Sequence, residues 1–312
     1  ERELLTVKIL SALDIIIDLH GLSLLLGISR EESERIVSNL QLNNITQKFS
    51  SGQALIFTSE AIKKYIYASI GNKKELHFHL AKRLSEKFPS LYRVEEARHY
   101  ELAGEFQKCF ILLMDEINEA EKKSAFSYVQ KLLFHLIQFP LDKALLNDIK
   151  IKLSEIYFKL GDVNASLNLI EELKSINPKN KVDKKILRIE GSALIASGEY
   201  EGGKKVISEL LLGISDLSEK YALKVELAYA DFELKLYDNA IQQCDLLLDE
   251  RELSDELKGR CYNLKGMINI YQSNDLHSAL DNFKNASIKF SQAGQLARVA
   301  GAEVNIGNVY NI

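Results

Sequence analysis

The sequence predicts a mainly α fold in which a small N-terminal winged helix with a β-hairpin precedes a superhelical stack of antiparallel helical hairpins. Three observations predict it. A turn of Gly with Asp or Glu recurs between helical stretches, a small residue recurs about five positions beyond each turn, and strand-like patterning is confined to residues 45–58. With 46% hydrophobic and 27% charged residues and only 3 Pro in 312, the chain is neither disordered nor collagenous. Residues 1–93 are expected to form the first domain with a connecting helix, and 94–312 a solenoid of about six hairpins.

From the start, Leu4 to His20 has helical spacing, and Leu22 to Leu26 reads as a short second helix ending at Gly27. Ser29 opens a third helix, to about Leu40, because its side-chain oxygen can cap free N–H groups while Glu31, Glu32 and Glu34 face the positive helix end. Ile45 to Phe49 and Ala54 to Thr58 then read as strands around Ser50-Ser51-Gly52, and Ser59 or Glu60 starts a helix to about Ala68. Three helices and a hairpin make a winged helix.

From about Val94 no strand signal remains. The turns are Gly104-Glu-Phe106, Gly161-Asp-Val163, Gly198-Glu-Tyr200 and the degenerate Leu236-Tyr237-Asp238 and Asn274-Asp-Leu276. The small residues beyond them are Cys109, Ser166, Gly203, Ala240 and Ala279, at intervals of 57, 37, 37 and 39. A period near 37 marks a helical-hairpin solenoid, slightly longer than the roughly 34-residue tetratricopeptide unit. The long first interval holds one irregular hairpin, in which Ala125, Val129 and Leu132 recreate the second-helix pattern. Small residues are needed where helices approach closely, with Tyr157 or Phe283 filling the space alongside, so Gly203 or Ala240 should not tolerate bulk, whereas Lys204 reads as solvated surface. Tyr100, Tyr157 and Tyr229 fall on first helices and read as packing residues.

Glu96-Ala-Arg-His-Tyr100-Glu-Leu-Ala-Gly104-Glu-Phe-Gln-Lys-Cys109 resembles the entry to the tetratricopeptide superhelix of bacterial signal-transduction ATPases with numerous domains, a class that includes maltose-regulon-type activators. Leu55 to Tyr67 is similar to the strand and helix by which such proteins leave their winged helix, and Leu76 to Glu86 to the helix after it. In that family a His usually stands two positions after the strand's last aromatic; here Thr58 and Ser59 follow Phe57, and no role is carried over. Asn305-Ile-Gly307-Asn-Val-Tyr310 resembles the first helix of a further repeat. While the unpaired cysteines and the shortness of the apolar stretches make a cytoplasmic location the expectation, the resemblance implies a sensor or scaffold arm of a larger signalling ATPase. It also implies an upstream ATP-binding module as intramolecular partner and an effector further along, such as a kinase, cyclase or DNA-binding helix pair. Because the sequence opens at Glu1 and closes inside a helical pattern, it is expected to be a fragment.

No catalytic, cofactor or metal site is expected. There is no GxxxxGK[ST] loop, and Gly71-Asn-Lys-Lys lacks its second glycine and hydroxyl. His77 and His79 lie about 200° apart around a helix, and His20, His99, His135 and His277 fall in separate elements, so all read as packed or solvated. Cys109, Cys244 and Cys261 form no CxxC pair, which fits a reducing compartment. The most apolar early stretch, Leu22 to Ile28, is far short of the roughly 20 residues that span a bilayer.

The net charge of −4 offers no field for nucleic acid. Residues 1–93 carry 13 basic against 10 acidic residues, and Lys63, Lys64, Lys73, Lys74, Lys82 and Arg83 cluster loosely after the wing, but Glu31, Glu32 and Glu34 would repel a phosphate backbone at the recognition helix. A DNA-binding regulator is therefore the second reading. A protein or peptide partner is expected along the concave surface lined by first helices. Val304, Ile306, Val309 and Tyr310 are expected to form an apolar face that is covered by a second copy of the chain, or else the last helix is expected to fray.

Overall fold

The computed structural model describes residues 1–49, 54–176 and 183–311. The expected turn at Ser50-Ser51-Gly52 and the terminal Ile312 lie outside the described residues. The chain divides into two compact units, Glu1–Asp142 and Lys143–Ile312.

The first unit begins with α1 (Arg2–Ala12), β1 (Ile17–Asp18), α2 (Leu19–Leu26), α3 (Arg30–Leu42), β2 (Thr46–Phe49), β3 (Ala54–Phe57) and α4 (Glu60–Ala68). The strands form one antiparallel sheet in the order β1-β3-β2, with Ile17 opposite Leu55 and Thr46 opposite Phe57. Ser29 accepts a hydrogen bond from Glu32 N and Ser59 one from Ala61 N, so each hydroxyl caps its helix. Gly27 closes α2 in the left-handed region at φ 68°.

The helix expected over Leu4 to His20 is instead two helices with a strand between them. Its hydrophobic spacing runs on past Ala12, but the carbonyls freed there find partners distant in sequence: Arg98 donates to Ala12 O (2.6 Å) and Lys63 to Leu13 O (2.9 Å). Leu13 is extended (ψ 138°), the β-branched run Ile15-Ile16-Ile17 leads into the strand, and Asp18 caps α2 through Gly21 N at 2.7 Å. The second helix accordingly starts at Leu19 rather than Leu22.

Four helices complete this unit: α5 (Lys73–Lys87), α6 (Arg93–Ala103), α7 (Phe106–Lys122) and α8 (Phe126–Ile137), with α5 to α8 packed in succession. The second unit is helical throughout its described residues: α9 (Lys143–Lys159), α10 (Val163–Ile176), α11 (Lys184–Ser197), α12 (Tyr200–Leu211), α13 (Leu217–Glu233), α14 (Tyr237–Leu248), α15 (Asp255–Ile268), α16 (Leu276–Gln292) and α17 (Leu296–Tyr310), with a π-helical turn at Asn269–Ser273 after α15. Successive helices pack antiparallel as hairpins of the tetratricopeptide type.

The hairpin turns share one construction. A single residue turns left-handed: Gly104 (φ 86°), Ser124 (55°), Gly161 (82°), Gly198 (90°), Lys235 (61°) and Asn274 (52°). The next N–H reaches back to a carbonyl of the last helical turn, as Asp162 N to Tyr157 O (2.9 Å), Glu199 N to Leu194 O (2.9 Å) and Leu236 N to Asp231 O (2.8 Å). The degenerate turn near Leu236 therefore hinges on Lys235, a residue with a Cβ where glycine is the unstrained choice.

Five positions beyond each of five of these turns lies a buried small residue, and a second buried small residue stands earlier on the preceding helix: Ala97 before Cys109, Ser154 before Ser166, Gly191 before Gly203, Ala228 before Ala240, and Gly266 before Ala279. The pairs are separated by twelve residues, except the last at thirteen, where the π turn absorbs the extra residue. Ser166 Oγ donates to Ser154 O across the hairpin at 2.8 Å. A Cβ on Gly203 would stand 2.9 Å from Gly191 O and 2.6 Å from Ile195 Cγ1, and one on Gly266 2.7 Å from the Phe283 ring, so bulk cannot enter without separating the helices.

Candidate interaction groove

In the second unit the first helices of successive hairpins, α9 to α11, α11 to α13 and α13 to α15, approach more closely than the second helices do. That difference curves the stack and makes the first helices its inner wall.

On this wall Ser192 Oγ donates to Glu226 Oε2 (2.7 Å), and Lys174 Nζ pairs with Glu190 (2.7 Å). Burial and the neighbouring Glu233 carboxylate, which accepts its hydrogen bond, push the Tyr229 hydroxyl above its ordinary pKa. Phe232 stands within 5.8 Å, centroid to centroid, of both Tyr237 and Tyr271, and Tyr271 is 68% exposed. Further along, Val225, Tyr229, Arg260, Asn263, Leu264, Met267, Phe290 and Arg298 enclose a cavity of about 230 Å³. Arg260 and Asn263 come from α15, and Asn263 Oδ1 accepts from Asn305 Nδ2 of α17 at 3.0 Å.

Asp231 on α13 is fully buried. Lys204 Nζ and Gln243 Nε2 each donate to its carboxylate at 2.5 Å, one from α12 and one from α14. The reading of Lys204 as solvated surface is thus corrected: its stem crosses to a carboxylate beneath the surface, and neither spacing nor composition shows a contact made 27 residues away.

The repeat positions named from the sequence fall into three groups. Gly104, Gly161 and Gly198 are the left-handed turn residues. Cys109, Ser166, Gly203, Ala240 and Ala279 are buried at the crossing of each hairpin. Ala125 is half-buried at the start of α8, and Gly307 has no atom near its Cβ position. Of the terminal apolar face, Val309 is buried and Ile306 packs with it against Ala279 and Phe283, so only Val304 and Tyr310 are exposed, at 61% and 69%. Sequence reasoning missed Ser154, Gly191, Ala228 and Gly266, although their intervals of 37, 37 and 38 carry the same period. It also missed Arg260 and Asn263, which follow no motif.

In the first unit, His77 and His99 are buried together between α5 and α6. A cavity of about 290 Å³ lies beside Leu13, Ile16, Thr46, Glu60 and Lys63, with the Lys63 ammonium committed to the Leu13 carbonyl. Among the described residues no cluster of three or more His, Cys, Asp or Glu could hold a metal ion, and no helix is long and apolar enough to cross a membrane.

Neither protein-family models nor curated proteins give a match to the chain. Among solved structures, a signal-transduction ATPase with numerous domains carrying a tetratricopeptide repeat sensor, from Pyrococcus horikoshii, is similar over 99% of this chain and 54% of its own, at 13% identity and a TM-score of 0.49. A tetratricopeptide repeat protein from Parabacteroides merdae is similar over 77% of this chain and 96% of its own, at 12% identity and a TM-score of 0.45. The chain spans about half the length of the first of these.

Proposed function

We propose that this chain is a non-catalytic sensor or scaffold arm that binds a protein or peptide along the inner wall of its helical stack, as part of a larger signalling ATPase. The observation that supports the reading is the wall itself, where α13 and α15 present Tyr229, Arg260 and Asn263 around an open cavity while the buried small pairs hold the hairpins together. A groove of mixed aromatic, apolar and hydrogen-bonding character suits an extended or helical peptide. Selecting binders from a displayed peptide library and mapping them by hydrogen exchange tests the assignment. Protection of α11, α13 and α15 is expected, and protection confined to α12, α14 and α16 would overturn it. The ATPase connection is tested by reading the coding frame on both sides of this chain, where a nucleotide-binding module upstream is expected and a frame encoding none overturns it. The winged helix is proposed as the joint to that module. Pairing of two copies through α17 would rest on Leu296, Val304 and Tyr310, the large apolar side chains that this helix exposes.

A further inference from the structure

We propose that the cavity of the first unit is a strand-addition site, in which a short extended segment of a partner protein, carrying an aliphatic residue beside a lysine or arginine, pairs with the open edge of β3 at Phe57. The site lies wholly within Glu1–Asp142 and is independent of the groove described above.

The register of the sheet shows where the edge is open. Thr58 N donates to Ile45 O at 3.1 Å, in step with the pairing of Gln47 with Ile56, so the amide groups of Ala54, Ile56 and Thr58 are turned toward β2. Leu55 and Phe57, alternating with them, turn theirs to the other side. Leu55 meets Ile17 of β1 there. Continuing that register would set Ile15 against Phe57, but β1 begins only at Ile17, and no hydrogen bond joins Phe57 to Ile15. The chain before β1 is held away from the sheet, because Asp14 N donates to Glu95 Oε1 at 2.9 Å and Lys63 donates to Leu13 O at 2.9 Å. Among the described residues the Phe57 N–H and C=O thus have no partner, at a place in a sheet where both are ordinarily paired.

The cavity of about 290 Å³ occupies this gap, since Ile15, Ile16, Ile56 and Phe57 all line it. Thr46, opposite Phe57 on β2 and 3% exposed, also lines it and buries a hydroxyl that has no hydrogen-bond partner among the described residues. Unanswered backbone and hydroxyl groups side by side require an occupant with its own backbone donors and acceptors, which an extended peptide supplies. Leu10, Leu13 and Ile16, the last 56% exposed, suit an aliphatic side chain of that peptide. The charges around the cavity select its neighbour. Lys63 is committed to Leu13 O, and Asp14 lies between Lys63 (3.4 Å) and Arg98 (3.3 Å), whereas Glu60 is exposed and has no ion pair among the described residues. The carboxylate left over favours a cation.

Amide hydrogen exchange read residue by residue by NMR on the whole chain, alongside fluorescence anisotropy with labelled peptides, tests the assignment. The probe is a pentapeptide blocked at both ends, Lys-Val-Lys-Val-Lys. A second peptide carries an N-methyl group on each valine, and a third has Glu for Lys. In the free protein the Phe57 amide is expected to exchange fast, and the first peptide to bind and slow it by about tenfold or more. The N-methylated peptide is expected to lose both effects, because the valine opposite Phe57 can no longer donate to its carbonyl, and the Glu peptide to bind more weakly. Glu60→Gln should weaken the first peptide by about two- to fivefold and leave the Glu peptide no weaker. A Phe57 amide already slow in the free chain overturns the site, since Ile15 would then close the ladder itself. Equal binding of the N-methylated peptide, or no binding of the first peptide at about 1 mM, overturns strand addition. Equal binding of the Lys and Glu peptides, or a Glu60→Gln variant that binds the first peptide like the parent, overturns the basic partner. None of these results bears on the groove of the second unit.

Discussion

His77 Nδ1 and His99 Nδ1 lie 2.7 Å apart in the interior of the first unit, so one imidazole must donate and the other accept. The outer partners decide which. Tyr67 Oη is 2.9 Å from His77 Nε2, and Glu95 Oε1 is 3.3 Å from His99 Nε2, too oblique for a full hydrogen bond but placed to attract a proton there. Tyr67 therefore donates to His77, His77 to His99, and His99 points its remaining N–H at Glu95. Both rings are neutral. Arg98 donates to Glu95 at 2.7 Å and stands 3.3 Å from Asp14, which ties the end of α1 to α6.

Acidification is expected to unfold this unit early. Burial, followed by the nearness of His99 and Arg98, lowers the His77 pKa from 6.5 to about 4, so the unfolded chain takes up a proton before the folded one does. The contribution is fully present above pH 6.5 and is lost as the pH falls toward 4, by about 3 kcal/mol. Below pH 4.5 Glu95 adds a loss of the same sign, because the attraction of the His99 N–H and the hydrogen bonds from Arg98 outweigh burial and hold its pKa near 2. Urea midpoints measured at pH 7.5 and 4.5 should differ in this direction, and less so in His77→Gln.

Lys235→Gly should raise stability by about 0.5–1 kcal/mol, because it removes a Cβ from a left-handed position whose counterparts Gly161 and Gly198 carry none. Lys235→Ala, which keeps the Cβ, should gain nothing. Chemical denaturation of the two variants side by side separates backbone conformation from loss of the lysine charge.

Gly203→Leu or Ala240→Leu should cost about 1–3 kcal/mol or more, since each new side chain would have to push apart helices that are already in contact. Lys204→Gln should also destabilise, by about 1–2 kcal/mol, because it leaves the buried Asp231 carboxylate with Gln243 as its one strong donor. Lys204→Gln with Asp231→Asn together should recover some of the loss. A neutral outcome for Lys204→Gln would show that water replaces the ammonium.

Duplex DNA should bind weakly and without sequence preference. At the start of α3, Glu31 and Glu34 are exposed, and Glu32 pairs with Arg2 while Arg30 pairs with Glu34, so these two arginines are already neutralised. Gel-shift titration at physiological salt should give constants no tighter than the roughly 10⁻⁴ to 10⁻⁶ M of nonspecific binding. Submicromolar, sequence-dependent binding would favour the regulator.

The helical hairpins were legible because their signals are local: a glycine that turns left-handed and a small residue five positions on act through neighbours in sequence. The end of α1 was not, because the groups that receive its carbonyls, Lys63 and Arg98, are 50 and 86 residues away. The groove was legible only as the wall that first helices form. Arg260 and Asn263 line the cavity from α15, and neither belongs to a spacing that would have marked it.

The π turn at Asn269–Ser273 gives the last complete hairpin a spare link. Adding one residue to a regular helix swings everything beyond it by about 100°, which would turn Phe283 away from Gly266. The widened coil takes up that residue as slack and passes the chain on in phase, with Tyr271 pushed outward at 68% exposure as the visible sign. What the array preserves from one hairpin to the next is therefore angle rather than length. This is the joint at which single-residue insertions and deletions can be traded without disturbing the neighbouring crossings.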